Sequence, residues 1–61
     1  MEADGKVLWS VREACEALSI GRTLLMRMTA EGSVPSVVIG RRRLYPRDEM
    51  LRWVNELPRV L

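Results

Sequence analysis

The most distinctive chemistry in this 61-residue chain lies in a run of three arginines, Arg41 to Arg43, directly after a glycine. Adjacent like charges repel, so the run needs counter-charges or full contact with water. No acidic residue occurs between Glu31 and Asp48. Phosphate groups would supply the missing charge, and each phosphate neutralised would release counterions and make binding weaken with salt. The competing interpretation is a solubilising cluster that protects the edge of a strand.

A second group of side chains shares one face of a predicted helix over residues 22–31. At about 100° per residue, Arg22, Thr23 and Arg27 fall on the outward side together with Met26. Arginine can bind guanine O6 and N7 with two hydrogen bonds, and a methionine can meet a thymine methyl or a partner protein. The alternative is a solvated face on which Arg27 pairs with Glu31. We favour nucleic-acid contact, because the arginine run flanks the same surface.

Charge is segregated along the chain. Residues 22–47 contain six arginines and one acid, a net charge of +5, whereas the remaining residues carry a net charge of −3. The overall value of +2 therefore conceals a basic middle between mildly acidic ends. Such segregation suits a surface that meets a polyanion on one side.

The composition argues against catalysis and against metal or cofactor binding. The chain has no histidine and one cysteine, Cys15, so it offers neither an internal disulfide nor the usual ligand set of a metal site. No nucleophile has a histidine base, and no glycine loop could cradle phosphates. No apolar run is long enough to span a membrane, and the N-terminus does not look like a signal peptide. We therefore expect a non-enzymatic, cytoplasmic protein.

The elements that position the arginines begin with two helices. Ser10 and Glu13 form a predicted capping box before an apolar stripe that ends at Leu18. Residues 19–21 interrupt the pattern, where Gly21 either caps the next helix or supplies an unusual backbone angle. The second helix runs over residues 22–31 with Leu24, Leu25 and Met28 inward, and Gly32 ends it. Two short helices joined by a three-residue turn predict a helix-turn-helix.

A hairpin and a third helix follow. Pro35 precedes the strand-forming residues 37–39, and the chain returns as a strand over residues 42–45. A two-residue loop of Gly40 and Arg41 and a three-residue loop both fit, and the strand register differs between them. We expect two of the three arginines to contact a ligand and one to lie along the domain surface, with the register deciding which. Pro46 then starts a helix whose inward stripe includes Trp53.

Residues 8–54 resemble the small excisionase-type helix-turn-helix domains, which are related to the DNA-binding head of MerR regulators. The resemblance rests on the joint spacing of a capped first helix, an arginine-led second helix, a "G-x-x-P-x-x-x-I-G-R" wing and a proline-led helix that carries a tryptophan. The matching positions are Ser10, Arg22, Arg27, Gly32, Pro35, Ile39, Gly40, Arg41, Pro46 and Trp53. This chain departs from the pattern at Gly21, where serine is usual, and at Leu24 and Met26, where threonine and tyrosine are common.

The resemblance implies a mainly α fold with a small β-hairpin, that is, a winged helix-turn-helix of three helices and a two-stranded wing. It implies double-stranded DNA as the partner, with the second helix in the major groove and the wing on phosphates or the minor groove. The expected DNA-contacting residues are Arg22, Thr23, Met26, Arg27, Arg41, Arg42 and Arg43. We expect a flexible leader over residues 1–6, the domain over residues 7–57 and a short tail over residues 58–61.

By resemblance, the expected role is that of an excisionase, a directionality factor that binds and bends attachment-site DNA and biases an integrase toward excision. Because one small domain contacts few base pairs, cooperative binding of copies at adjacent sites is expected. The alternatives are a small MerR-like transcriptional regulator and a protein-interaction module. In the last case Trp9, Met26 and the tail would bind a partner and the arginines would only keep the domain soluble.

Overall fold

The computed structural model describes residues 6–59, so most of the predicted leader and the last two residues of the predicted tail lie outside the described residues. The described chain is mainly α, with a small antiparallel sheet, which confirms the predicted winged helix-turn-helix fold class. Its elements are β1 (Leu8–Trp9), α1 (Val11–Leu18), α2 (Arg22–Glu31), β2 (Val37–Ile39), β3 (Arg42–Pro46) and α3 (Arg47–Asn55).

The predicted capping box starts α1. The Glu13 backbone N–H donates to the Ser10 Oγ at 3.1 Å, and the Ser10 N–H donates to a Glu13 carboxylate oxygen at 2.9 Å. Two N–H groups that the helix leaves without internal partners are thereby satisfied by the sequence's own side chains. The helix consequently begins at the residue that the sequence predicted.

The turn between α1 and α2 resolves the alternatives at Gly21. Gly21 has an extended backbone and is the N-cap of α2, while the left-handed residue of the turn is Ser19, at φ 59°. The Ile20 N–H donates to the Cys15 carbonyl at 3.1 Å, which closes the end of α1. The turn is therefore held by backbone hydrogen bonds on its first side and by a glycine cap on its second.

The sheet has the strand order β1-β3-β2, so β3 is central. Ile39 pairs with Arg42 in the β2–β3 hairpin, which leaves a two-residue loop of Gly40 and Arg41 and settles the register. Gly40 has φ 63°, whereas Arg41 has no positive φ, the pattern of a turn with glycine first. The sequence predicted two strands, and the sheet has a third, because β1 pairs with β3 at the base of the wing.

The core lies between the helices and the sheet, and it is built from Ala14, Leu25, Val34, Tyr45 and Met50. Tyr45 is fully buried. Trp9 is partly buried and packs against this core, as does Trp53. Leu24 was expected inside but is 37% exposed. It lies on the flank of α2, because the inward face is centred on Leu25 and Thr29.

The third helix follows the central strand without a loop. Pro46 is both the last residue of β3 and the N-cap of α3, one position earlier than the first helical turn in which it was predicted. The Arg47 Nε donates to the Asp48 Oδ1 at 3.2 Å, so Asp48 pairs with its neighbour rather than with the residue four positions on. The direct connection couples the orientation of the wing to that of α3.

Candidate nucleic-acid interface

The outward face of α2 carries three of its four predicted contact residues in exposed positions. Arg22, Thr23 and Arg27 are exposed, whereas Met26 is half-buried. Because Leu25 and Thr29 define the buried face, Met26 lies toward one flank at about 100° per residue, and the outermost residues are those near Thr23 and Arg27. The expectation of a fully outward Met26 is corrected, and its contact with a base stays a prediction.

The wing arginines occupy three different environments. Arg41 lies in the turn, Arg42 is paired with Ile39, and Arg43 is paired with Val38. Side chains alternate between the faces of a strand, so Arg43 shares the face of the buried Tyr45 and Arg42 lies on the opposite face. The Arg43 Nη1 donates to the Ser36 Oγ at 3.0 Å. Arg43 is therefore the arginine held on the domain's own surface, while Arg41 and Arg42 remain open to solvent.

The acidic side chains of the described residues do not neutralise these cations. Within residues 6–59, the ion pairs join Lys6 to Glu13, Arg12 to Glu16 at 3.6 Å, and Arg47 to Asp48 at 3.2 Å. In this part of the chain no carboxylate lies within ion-pair distance of the two α2 arginines or the three wing arginines. The alternative in which Arg27 pairs with Glu31 is therefore not realised in the described residues.

Apolar side chains accompany the arginines on the wing. β2 is an edge strand, and its three residues Val37, Val38 and Ile39 are all exposed, the last two to more than half of their surface. Val37 and Ile39 are paired with Leu44 and Arg42, so these four side chains share one face of the hairpin. Exposed aliphatic groups beside arginines suit a partner that presents both phosphates and the apolar edges of sugars or bases.

One residue that sequence reasoning missed connects the two basic groups. Thr29 lies on the inner face of α2 and is only 9% exposed. Its Oγ1 is 2.8 Å from the Leu25 carbonyl oxygen and 2.8 Å from the Tyr45 hydroxyl. The signal in the sequence was a polar residue four positions after the buried Leu25, on the helix face that must pack against the rest of the domain.

The tight helix pair, the basic hairpin and the third helix together form the pattern of a known domain family. The model of a helix-turn-helix domain family matches residues 10–58, from the N-cap of α1 to beyond α3. The chain belongs to this family of small, excisionase-type helix-turn-helix DNA-binding domains. No curated protein and no solved structure gives a significant match to the chain.

The family assignment supports DNA as the partner of the domain. A helix-turn-helix domain binds DNA, with its second helix in the major groove. In this helix-turn-helix domain that helix is α2, which carries Arg22 and Arg27. Within the described residues, no cluster of acids, histidines or cysteines could hold a metal ion, and no helix is long and apolar enough to cross a membrane.

Proposed function

We propose that this helix-turn-helix domain binds double-stranded DNA through α2 in the major groove and through the wing on the phosphate backbone or in the minor groove. The observation that carries the proposal is the pair of exposed arginine groups, on α2 and on the wing, that lack acidic partners within residues 6–59. Burying unpaired guanidinium groups against phosphates and base edges would satisfy donors that the protein itself leaves free.

The α2 residues and the wing arginines would have different roles in DNA recognition. Arg22, Thr23 and Arg27 lie along the exposed face of α2 and would read base edges, the arginines by bidentate bonds to guanine. Met26, on the flank of the same helix, would contact a thymine methyl. Phosphate contacts by the wing arginines would set the register of the domain on the duplex without reading the sequence directly.

Within the wing, the hydrogen bond of Arg43 to Ser36 favours a supporting role for that residue. Arg41 and Arg42 are then the two wing arginines that contact DNA, and the stem of Arg43 covers the domain surface. This assignment keeps all three arginines in the interface region while giving the direct phosphate contacts to two of them.

As a cellular role, we propose an excisionase, which binds and bends attachment-site DNA and biases an integrase toward excision. The excisionase type of the matched family supports this role. Because one domain of this size covers few base pairs, copies would bind cooperatively at adjacent sites, and the tail after α3 would contact the neighbouring copy. A MerR-like transcriptional regulator would use the same DNA-contacting surface.

An assay with an integrase separates the two roles. Adding the protein to a candidate integrase and its attachment-site duplexes should raise the yield of excised product, and footprints should extend over several adjacent sites. The preferred DNA site is first selected from a pool of random duplexes. Unchanged recombination, together with altered transcription from a promoter that carries this selected site, would favour the regulator. A footprint of one protein copy would contradict cooperative binding.

The DNA proposal itself is tested by fluorescence anisotropy with a labelled random duplex at low and moderate salt. Replacing Arg41 and Arg42 by alanine should abolish binding, whereas the native chain should bind and lose affinity steeply as salt rises. The matched control replaces Arg12 and Arg52, which removes the same formal charge from surfaces with nearby acids. Arg12 pairs with Glu16, and Arg52 lies in a groove with Glu49 and Glu56. Equal affinities for the two double variants would exclude the wing as a contact surface.

One observation favours a protein contact that is made in addition to DNA binding, rather than a module that binds only protein. An apolar groove lies between the α1–α2 turn, α2 and α3, lined by Ile20, Leu24, Met28, Trp53 and Leu57 among others. By contrast, Trp9 and Met26, which the interaction hypothesis invoked, are partly buried. Loss of protein capture with Leu24→Ser, without loss of DNA binding, would show that the groove serves a partner.

A further inference from the structure

A buried polar contact joins the two elements that carry the exposed arginines. Thr29 lies on α2 two residues after Arg27, and Tyr45 lies on β3 two residues after Arg43. The Thr29 Oγ1 and the Tyr45 hydroxyl oxygen are 2.8 Å apart, and Tyr45 is fully buried. We call this Thr29–Tyr45 contact the helix–wing latch.

The direction of the hydrogen bonds follows from the number of protons. A threonine hydroxyl has one proton, and Thr29 Oγ1 donates it to the Leu25 carbonyl at 2.8 Å. The Tyr45 O–H must therefore donate to Thr29 Oγ1. Both hydroxyls are thus satisfied, and no buried side-chain nitrogen or oxygen in the described residues lacks a partner.

The latch matters because the two elements do not pack closely through their backbones. α2 packs mainly against α1, whereas β3 packs against β1, β2, α1 and α3. Since α1 packs against both α2 and β3, it couples the two elements indirectly, and side chains that reach across the core link them directly. Tyr45 is the largest fully buried side chain, and its hydroxyl makes a directional hydrogen bond to Thr29 on α2.

We propose that Thr29 and Tyr45 are positioning residues for DNA recognition. They fix the angle between α2 and the wing so that base contacts and phosphate contacts form in one pose on one duplex. This proposal rests on the proposed DNA-binding function. A preorganised pair of contacts avoids the free-energy cost of ordering one element after the other has bound. This gain in affinity appears only in complexes in which α2 and the wing both contact the DNA.

The consequence is a loss of discrimination rather than of general affinity. Binding to arbitrary DNA depends mainly on charge, which the latch does not carry. Binding to the preferred sequence requires the recognition helix to sit in one register while the wing holds the backbone. Removing the latch should therefore lower the ratio of affinity for the selected duplex to affinity for a random duplex.

The test measures both affinities for the intact chain, at a temperature where far-ultraviolet circular dichroism shows each variant folded. Tyr45→Phe removes only the hydroxyl and leaves Thr29 bonded to Leu25. It should weaken binding to the selected duplex roughly tenfold while changing random-duplex binding little. Thr29→Val should behave in the same way, and Thr29→Ser, which keeps the hydroxyl, should retain the native ratio.

Met50→Leu is the matched core control, since Met50 is fully buried on α3 and makes no polar link to α2. It should leave the ratio unchanged even where it lowers thermal stability. A native ratio in Tyr45→Phe, or equal losses in Tyr45→Phe and Met50→Leu, would overturn the latch while leaving DNA binding in place. Failure of the native chain to bind either duplex at low salt would instead overturn the proposed function and the latch with it.

Discussion

Glu13 makes two interactions at the start of α1 that depend on its ionised state. One carboxylate oxygen accepts the Ser10 N–H at 2.9 Å, and the other binds the Lys6 ammonium. The Lys6 contact, followed by the backbone hydrogen bond, holds the pKa of the Glu13 carboxyl below its usual value. The folded state therefore favours the carboxylate more than the unfolded chain does.

This shift predicts an acid-sensitive share of the stability. A carboxyl whose folded pKa is depressed stabilises the fold above its unfolded pKa, near 4.3, and that stabilisation disappears as the pH falls through the folded value. Glu13→Gln should therefore lower the melting temperature more at pH 7 than at pH 3, as measured by circular dichroism. Glu16→Gln is the control, because it removes a charge from the same helix without touching the N-cap. An equal melting-temperature deficit for Glu13→Gln at both pH values would contradict the assignment.

Local chemistry explains which single residues could be predicted. The Ser10–Glu13 capping box was predictable because both partners lie within one helical turn. The Thr29–Tyr45 bond joins residues 16 positions apart, and its formation depends on how the sheet packs under α2. Sequence periodicity places Thr29 four positions after Leu25 on the packing face of α2, but it does not show which distant side chain its hydroxyl would meet. Met26 was placed too far outward because the inward face was predicted from Leu24, Leu25 and Met28, whereas the buried residues of α2 are Leu25 and Thr29.

At the scale of elements, α1 and α2 end with the same backbone geometry but with different residues. Ser19 and Gly32 are both left-handed, at φ 59° and φ 76°. In each case the next N–H donates to a carbonyl five residues back, from Ile20 to Cys15 and from Ser33 to Met28. Only glycine adopts this conformation without a penalty from its side chain.

A reciprocal pair of substitutions should reveal that penalty. Ser19→Gly should raise the free energy of unfolding by about 0.5–1 kcal/mol, since relief of left-handed strain exceeds the added flexibility of the unfolded chain. Gly32→Ala should lower it by about 1–2 kcal/mol. A Cβ at Gly32 would meet no atom within 4 Å, so the cost comes from the backbone alone. Urea denaturation measures both, and destabilisation by Ser19→Gly would indicate a role for the serine hydroxyl.

The elements themselves were largely predictable, with one exception that has a physical cause. The helices have capped ends and periodic apolar residues, and the hairpin has a glycine turn beside strand-forming residues. β1 has two residues and exists because Leu8 and Trp9 pair with Pro46 and Tyr45. A strand this short has no periodicity of its own, so only the distant partner defines it. The loop length was open because two- and three-residue hairpins share the same local sequence signals.

At the scale of the whole molecule, the sequence's charge segregation becomes a spatial division. Five of the six arginines of the basic middle lie on α2 and the wing. The carboxylates of Glu13, Glu16 and Asp48 pair instead with cations outside α2 and the wing, which are Lys6, Arg12 and Arg47. Among the described residues, the α2 and wing arginines therefore have no acidic partner and are available to an external one. A net charge of only +2 nevertheless keeps the long-range field of the molecule modest, so affinity must come from local contacts.

This division predicts that salt dependence and sequence preference can be separated by mutation. The slope of log affinity against log salt falls by about 0.9 for each phosphate on duplex DNA that a variant no longer neutralises. Arg42→Ala should therefore reduce the slope and weaken selected and random duplexes alike. Arg27→Ala should weaken the selected duplex by about 1–3 kcal/mol and leave the slope nearly unchanged, because a base contact replaces no phosphate counterion.

Arg52→Ala provides the reference for this comparison, because it removes one positive charge from a groove that two glutamates line. Its slope and its preference should both match those of the native chain. If Arg42→Ala altered preference while Arg27→Ala altered only the slope, the wing would be the reading element and α2 the anchor. The assignment of base recognition to α2 would then have to be reversed, although the domain would still bind DNA through the same two surfaces.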